Sequence, residues 1–159
     1  MFIDKQEQSK IEYYQKMLQI VGSLSKLSSD SEEPFLHYRI AENLFCKSFN
    51  AENLSRSDTS ADASIDTIGF ALKTFLKRNG NGMEKVAEFN TDSPNFRNLP
   101  INEQVQEIAR LRNERIETTK KIYGLTDIIY HCVTRSTGKM SIIESPMNII
   151  NVTSIKIKN

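Results

Sequence analysis

The sequence predicts an α+β domain, α/β in the broad sense: a mixed central sheet flanked by helices, with an N-terminal helix and C-terminal hairpin strands. Three observations carry that expectation. Apolar residues recur at three- and four-residue steps in the first third of the chain. Thr67 to Lys77 reads as a strand with side chains facing alternately to two sides, and a second long helical pattern over 101–123 precedes a hairpin pattern. Helices and hairpin strands in one short chain bury their apolar faces by packing the helices on the sheet.

The elements follow in order. Residues 5–28 place Ile11, Tyr14, Leu18, Val21 and Leu24 on one stripe of an amphipathic helix. The run Ser28-Ser29-Asp30-Ser31-Glu32-Glu33-Pro34 combines cap-forming residues with a proline and separates this helix from the next. A second helix is expected over 35–54, with Tyr38, Ala41, Leu44, Phe45 and Phe49 on one face. The polar stretch Ser55 to Ser64 reads as a loop leading into a short strand. In the strand over 67–77, Ile68, Phe70, Leu72, Thr74 and Leu76 face one way, and Gly69, Ala71, Lys73 and Phe75 the other. Asn79-Gly80-Asn81-Gly82 signals a turn into a further short strand over 84–90. After a loop around Pro94 to Pro100, Ile101, Val105, Ile108, Ile116 and Tyr123 mark a long helix that Gly124 stops. Asp127–Thr134 and Lys139–Glu144 form a hairpin around Ser136-Thr137-Gly138, and Ile149–Lys158 alternates as a last strand.

The 159 residues fit one domain, divisible into an N-terminal helix and linker (1–33), a core (34–135) and C-terminal strands (136–159). The last strand stops abruptly at Asn159, which suggests the front part of a longer protein. Lys and Arg number 21 against 20 Asp and Glu, so bulk charge neither announces nor excludes a nucleic-acid partner. No signal peptide is expected from Met1–Ile3 followed at once by Asp4 and Lys5, and no apolar run approaches the ~20 residues that span a bilayer. A cytoplasmic protein without membrane attachment is expected. Cys46 and Cys132 lack a CxxC partner, and His37 and His131 share no ligand spacing with them, so no zinc site is expected. The two histidines read as packing or surface residues, and the two cysteines as small core residues.

The stretch Ser60 to Phe75 holds the candidate chemistry. Asp62 precedes a strand, and Lys73 lies inside it, so a carboxylate and an ammonium meet at one end of a sheet. Such a pair can serve phosphodiester hydrolysis: the carboxylate holds a divalent metal, and the lysine orients water or stabilises developing charge. Gly69 and Ala71 on the side of Lys73 leave room there for a phosphate or metal.

Glu42 on a helix, then Asp62, then Gly69-Phe70-Ala71-Leu72-Lys73-Thr74-Phe75 on a strand resemble the core of the PD-(D/E)XK nuclease superfamily, especially type II restriction endonucleases. The resemblance covers residues from about 35 to 135, and the stretches Glu42-Asn43-Leu44-Phe45 and Glu52 to Asp58 are similar to restriction-endonuclease-like sequences. It implies a restriction-endonuclease-like core of a helix, three strands, a helix and a strand. It also implies a Mg²⁺-dependent endonuclease acting on double-stranded DNA, with a homodimer as one possible assembly. Under it, Asp62 is the metal-binding aspartate, Lys73 the catalytic lysine and Glu42 the acid presented from the preceding helix. The family's acid two positions before the lysine is here Ala71, so Glu88 on the next strand is the candidate second metal ligand. Asp66, expected in a turn, and Asp58 rank below Asp62.

For DNA contact the candidates are Arg110, Arg112 and Arg115 on the long helix, with Lys120 and Lys121 beyond them, and Lys77 and Arg78 beside the turn. Each residue also has a plainer reading. Asp62 can be a turn residue, Lys73, Glu42 and Glu88 solvated side chains, and the arginines partners of Glu103, Glu107, Glu114 and Glu117 along one helix. With Ala71 in place of an acid, the alternative function is a catalytically inactive DNA-binding or protein-interaction module. A third option, a small-molecule phosphoesterase, requires an enclosed pocket at Asp62 and Lys73.

Overall fold

The computed structural model describes residues 1–24, 27, 32–57, 59–77, 89 and 91–156. The strand expected over 84–90 apart from residue 89, the Asn79–Gly82 turn, Glu88, Arg78 and Asp58 lie outside the described residues.

The elements are α1 (Gln8–Leu24), α2 (Tyr38–Phe49), β1 (Glu52–Asn53), β2 (Ala63–Ile65), β3 (Ile68–Leu76), α3 (Ser93–Phe96), α4 (Ile101–Tyr123), β4 (Asp127–Ser136) and β5 (Lys139–Pro146). The class is mixed α+β. The strands form one five-stranded sheet in the order β1-β2-β3-β4-β5. All neighbours are antiparallel except β3 and β4, which run parallel from Ile68↔Asp127 to Leu76↔Arg135. A parallel pair requires a crossover, and α4 lies in the segment that makes it.

Alternation along β3 sends its two faces to two cores. Phe70 and Leu72 join Tyr14 and Leu18 of α1, Phe45 and Phe49 of α2, and Val133 of β4. Ala71 joins Leu54, Ala61, Ile116 of α4, Leu125, Ile128 and Met147 on the opposite face. Helices therefore cover both faces of the sheet, as the strand's two-residue period requires.

Several boundaries differ from the sequence expectation. The second helix is shorter than 35–54. His37 caps it by accepting the Arg39 N–H at its Nδ1, 3.3 Å away, and Asn50 ends it in the left-handed region at φ 54°. Asparagine tolerates that conformation, and β1 starts two residues later. Tyr38, expected on the buried face, is exposed, as is Leu24 at the end of α1. Ile101 and Ile108 of α4 are also exposed; the helix meets the sheet through Ala109, Ile116 and Thr119, which share one face at seven- and ten-residue separations. No strand forms over the described part of Ile149–Lys158. Val152–Ser154 make a 3-10 turn there, and Asn113 of α4 takes up the Ile150 backbone, donating to its carbonyl at 2.7 Å and accepting its N–H at 2.9 Å. With its backbone bonded to a helix side chain, the segment does not extend the sheet.

Gly124 closes α4 at φ 63°, as expected of a helix-stopping glycine. Asp66 lies at φ 50° in the turn joining β2 to β3, again as expected. No helix among the described residues is long and apolar enough to cross a membrane.

Candidate active site

Asp62 is held by the backbone before its side chain does anything. It precedes β2, donates its N–H to Phe70 O at 2.8 Å and accepts the Leu54 N–H at 2.9 Å. Two residues earlier, the Ser60 N–H donates to Thr119 Oγ1 at 2.9 Å, so α4 anchors the loop that carries Asp62. Thr119 is buried and donates its own hydroxyl proton to Arg115 O at 2.8 Å.

On β3, β2 pairs Ile68, Gly69 and Phe70, so β3 continues past this partner. The Leu72 N–H on that continuation is taken by Asp62 Oδ2 at 2.8 Å. One residue further, Lys73 Nζ lies 3.6 Å from the same oxygen. The expected meeting of Asp62 and Lys73 is therefore present, and both side chains retain solvent access, at 21% and 31% exposed.

Glu42 enters from α2. Its side chain is 6% exposed, and Arg39 Nη1 donates to its Oε2 at 3.0 Å and to Ser55 O at 2.6 Å. Burial raises the Glu42 carboxyl above the usual range, and the neighbouring charge of Asp62 raises it further, while hydrogen bonds from Arg39 and Ser55 oppose both. The Cys46 thiol, one turn along α2, is pushed up to about 11 by burial and then by Glu42 and Asp62. A thiol so disposed stays protonated and packs, as a small core residue does. Two carboxylates thus repel one another between two cations, Arg39 and Lys73.

Other expectations fail. Gly69 and Ala71 do not leave room for a phosphate or metal. A Cβ at Gly69 would lie 2.8 Å from Leu125 Cδ1 and 3.2 Å from both Ala61 Cβ and Ile128 Cγ1. Ala71 is 1% exposed within the apolar cluster of Leu54, Ile116 and Leu125. An ionised acid at position 71 would face that apolar packing, which costs heavily unless it is paired.

Of the α4 arginines expected at DNA, Arg110 and Arg112 have partners within the protein. Arg110 is bound by Glu107, with Nε 2.8 Å from Oε2, and by Glu114, an exposed network along one helix face. Arg112 donates to Asn148 O at 2.9 Å and to Tyr130 Oη at 3.3 Å, holding the segment after β5 against the helix. Arg115 is half-buried, and Lys77 is exposed just past β3. Among the described residues, no group of three or more His, Cys, Asp and Glu stands where it could hold a metal ion. Asp62 and Glu42 alone would furnish two carboxylates. That suits Mg²⁺, which binds through one or two carboxylates and keeps several waters.

Three residues with defined partners carry no signal in the sequence pattern. Arg39 and Thr119 were unremarkable helix positions whose partners, Ser55 and Ser60, are contributed by the loop that folds back on them. His131, expected to pack or lie exposed, is buried in a chain of hydrogen bonds: Tyr14 Oη is 3.1 Å from its Nε2, and Glu144 Oε1 is 2.8 Å from its Nδ1. Glu144 Oε2 in turn accepts the Ile3 N–H at 3.1 Å. Burial raises the Glu144 carboxyl, but hydrogen bonds from His131, Ile3 and Phe2 outweigh it and hold the group below its ordinary value. Burial, with the charge of Glu144, moves the Tyr14 phenol well above its ordinary value.

A groove of about 660 Å³ lies between α1 and β5, lined by Ile11, Leu18, Met140 and Ile142 among others. Asp62, Lys73 and Glu42 do not line it, so it offers no enclosed pocket for a phosphoesterase at the site. Comparison with protein-family models, curated protein sequences and solved structures finds no match to this chain.

Proposed function

We propose that this protein is a Mg²⁺-dependent DNA endonuclease of restriction type, hydrolysing phosphodiester bonds in double-stranded DNA on a PD-(D/E)XK-like core. The observation that carries the reading is the Asp62–Lys73 pair, 3.6 Å apart at the end of β2, with Glu42 electrostatically coupled to Asp62 from α2. The order α2, β1, β2, β3, α4, β4, with the one-turn α3 between β3 and α4, supports it, since the superfamily core runs helix, three strands, helix, strand.

Asp62 and Glu42 would hold the metal. Bound there, Mg²⁺ would polarise the scissile phosphate and lower the pKa of a coordinated water. Lys73 Nζ lies beside the Asp62 carboxylate, where an ammonium can orient the attacking water or meet charge developing on the phosphate oxygens. Arg39 fixes Glu42 and brings a second positive charge to the edge of the site.

A second reading has its own support. The apolar packing around Ala71 removes the family's usual acid and favours a non-catalytic DNA-binding or protein-interaction module. Incubating the protein with mixed linear and supercoiled DNA and Mg²⁺, against an EDTA control, separates the two. Metal-dependent cleavage that disappears in Lys73→Ala supports the enzyme; DNA left intact under all metal conditions supports the module.

A further inference from the structure

Three consecutive side chains stack at the start of α2, beside Glu42. The His37 and Tyr38 rings lie with centroids 4.4 Å apart and planes at 31°. The Arg39 guanidinium carbon lies 5.3 Å from the Tyr38 ring centroid. His37 is exposed and Tyr38 is 51% exposed, so these rings do little to bury the core. The same guanidinium donates to Glu42 and to Ser55 O, which fastens the stack to the rim of the candidate active site.

Aromatic rings and guanidinium planes at a surface recognise the π-face of a nucleobase, with little regard to which base it is. Within a continuous duplex each base is covered by its neighbours. A base offers its face only when single-stranded or turned out of the stack. We infer that His37, Tyr38 and Arg39 form a stacking platform for an unpaired nucleobase, seating a single-stranded segment of DNA next to Glu42 and Asp62. The inference rests on the nuclease reading of that site and refines its substrate: duplex DNA carrying a flap, a gap or a splayed base rather than uninterrupted duplex. Arg39 supplies the cation that a phosphodiester approaching two carboxylates requires.

The chain contains no tryptophan, so Tyr38→Trp places a single reporter in the platform. In EDTA, where cleavage is suppressed, a short thymidine oligonucleotide is expected to quench its fluorescence, and a blunt duplex of the same length is not. Fluorescence anisotropy should find oligonucleotide affinity lowered by about tenfold in Tyr38→Ala, the worth of a typical base-aromatic stack. Arg39→Lys, which keeps the charge and loses the planar face, should also weaken binding. Tyr13→Ala, an exposed tyrosine on α1, should bind as wild type. Absent quenching, equal quenching by duplex, or wild-type affinity in a Tyr38→Ala protein with unchanged circular dichroism would each overturn the platform. Quenching without any DNA cleavage in Mg²⁺ would instead overturn the nuclease reading and keep the platform. Cleavage with wild-type affinity in Tyr38→Ala would do the reverse.

Discussion

Asp62 Oδ2 accepts the backbone N–H of Leu72 at 2.8 Å, so the carboxylate proposed to bind metal also completes the hydrogen bonding of β3 where β2 stops. Replacing it therefore tests two things at once. Asp62→Asn keeps an oxygen acceptor for Leu72 and is expected to retain the thermal unfolding of the wild type while losing cleavage. Asp62→Ala leaves a strand amide without its partner and should also cost roughly 1–3 kcal/mol of stability. Chemical denaturation of both variants beside a cleavage assay checks the split; equal stability of the two would remove the structural role.

Lys73→Ala is expected to lower the single-turnover cleavage rate by roughly 10²–10³-fold, the usual effect of removing a group that stabilises transition-state charge. Because Lys73 is about a third exposed, its pairing with Asp62 contributes little to stability, and the variant should unfold as wild type does. Cleavage by Lys73→Ala at the wild-type rate would defeat its catalytic role.

The raised Glu42 carboxyl has a definite pH signature. The native state holds this proton at pH values where the unfolded chain has released it, so stability falls as pH rises from the ordinary glutamate value through the raised one. Glu42→Gln should abolish that decline. Mg²⁺ binding requires the deprotonated form, so its affinity should climb with pH across the same window in the wild type and stay flat in the variant. Thermal shifts with and without Mg²⁺ over a pH series measure both effects.

Glu144 behaves in the opposite sense. Its carboxyl sits below the ordinary value, so the unfolded chain binds the extra proton, and the stability it confers is present above the ordinary carboxylate pKa and lost as pH falls through the lowered one. His131→Leu takes away the ring nitrogen that meets the buried Glu144 carboxyl and leaves that group short of a partner, so it should destabilise by about 1–3 kcal/mol. Glu144→Gln should flatten the acid limb of the unfolding curve. An acid limb identical to wild type in that variant would remove Glu144 from the account.

Asn113 meets both backbone polar groups of Ile150. Asn113→Ala should loosen the segment after β5 by about 1–3 kcal/mol, seen as faster proteolysis between Met147 and Val152 with the sheet intact. Unchanged proteolysis would show that Arg112 alone suffices to hold it.

Local pattern made much of this legible. The alternation over 67–77 assigns Phe70 and Leu72 to one face and Ala71 and Lys73 to the other, because a strand's two-residue period carries that information by itself. Gly124 and Gly138 at positive φ mark the end of α4 and the β4–β5 turn for the same local reason. What the pattern could not carry is what arrives from elsewhere in the chain. His131 looks like an ordinary strand residue until Tyr14, 117 positions away, and Glu144 close around it. Gly69 and Ala71 look like open space until Leu125 and Ile116 fill it. Likewise, the alternation of Ile149 to Lys158 suggests a strand, but Asn113 intercepts the backbone that a neighbouring strand would have needed. At the candidate site, the pairing of Asp62 with Lys73 follows from one hairpin and was readable; the attachment of Glu42 through Arg39 to Ser55 depends on a tertiary fold-back and was not.

The parallel seam between β3 and β4 gives the molecule an unequal distribution of breathing motions. Every other strand pair closes between chain neighbours, whereas this seam joins residues about sixty positions apart and lies between the two helical layers. Amides along it can exchange with solvent deuterium only when the two halves of the sheet part, so their protection should report the global unfolding free energy. The two-residue strand β1, at the sheet's margin, can open by local fraying instead. Asp62 and Lys73 bridge β2's lead-in to β3 next to that seam, so the residues proposed to do chemistry stand near the slowest-exchanging part of the chain, while Tyr38 and Arg39 sit at a helix end tied to Glu42 and Ser55.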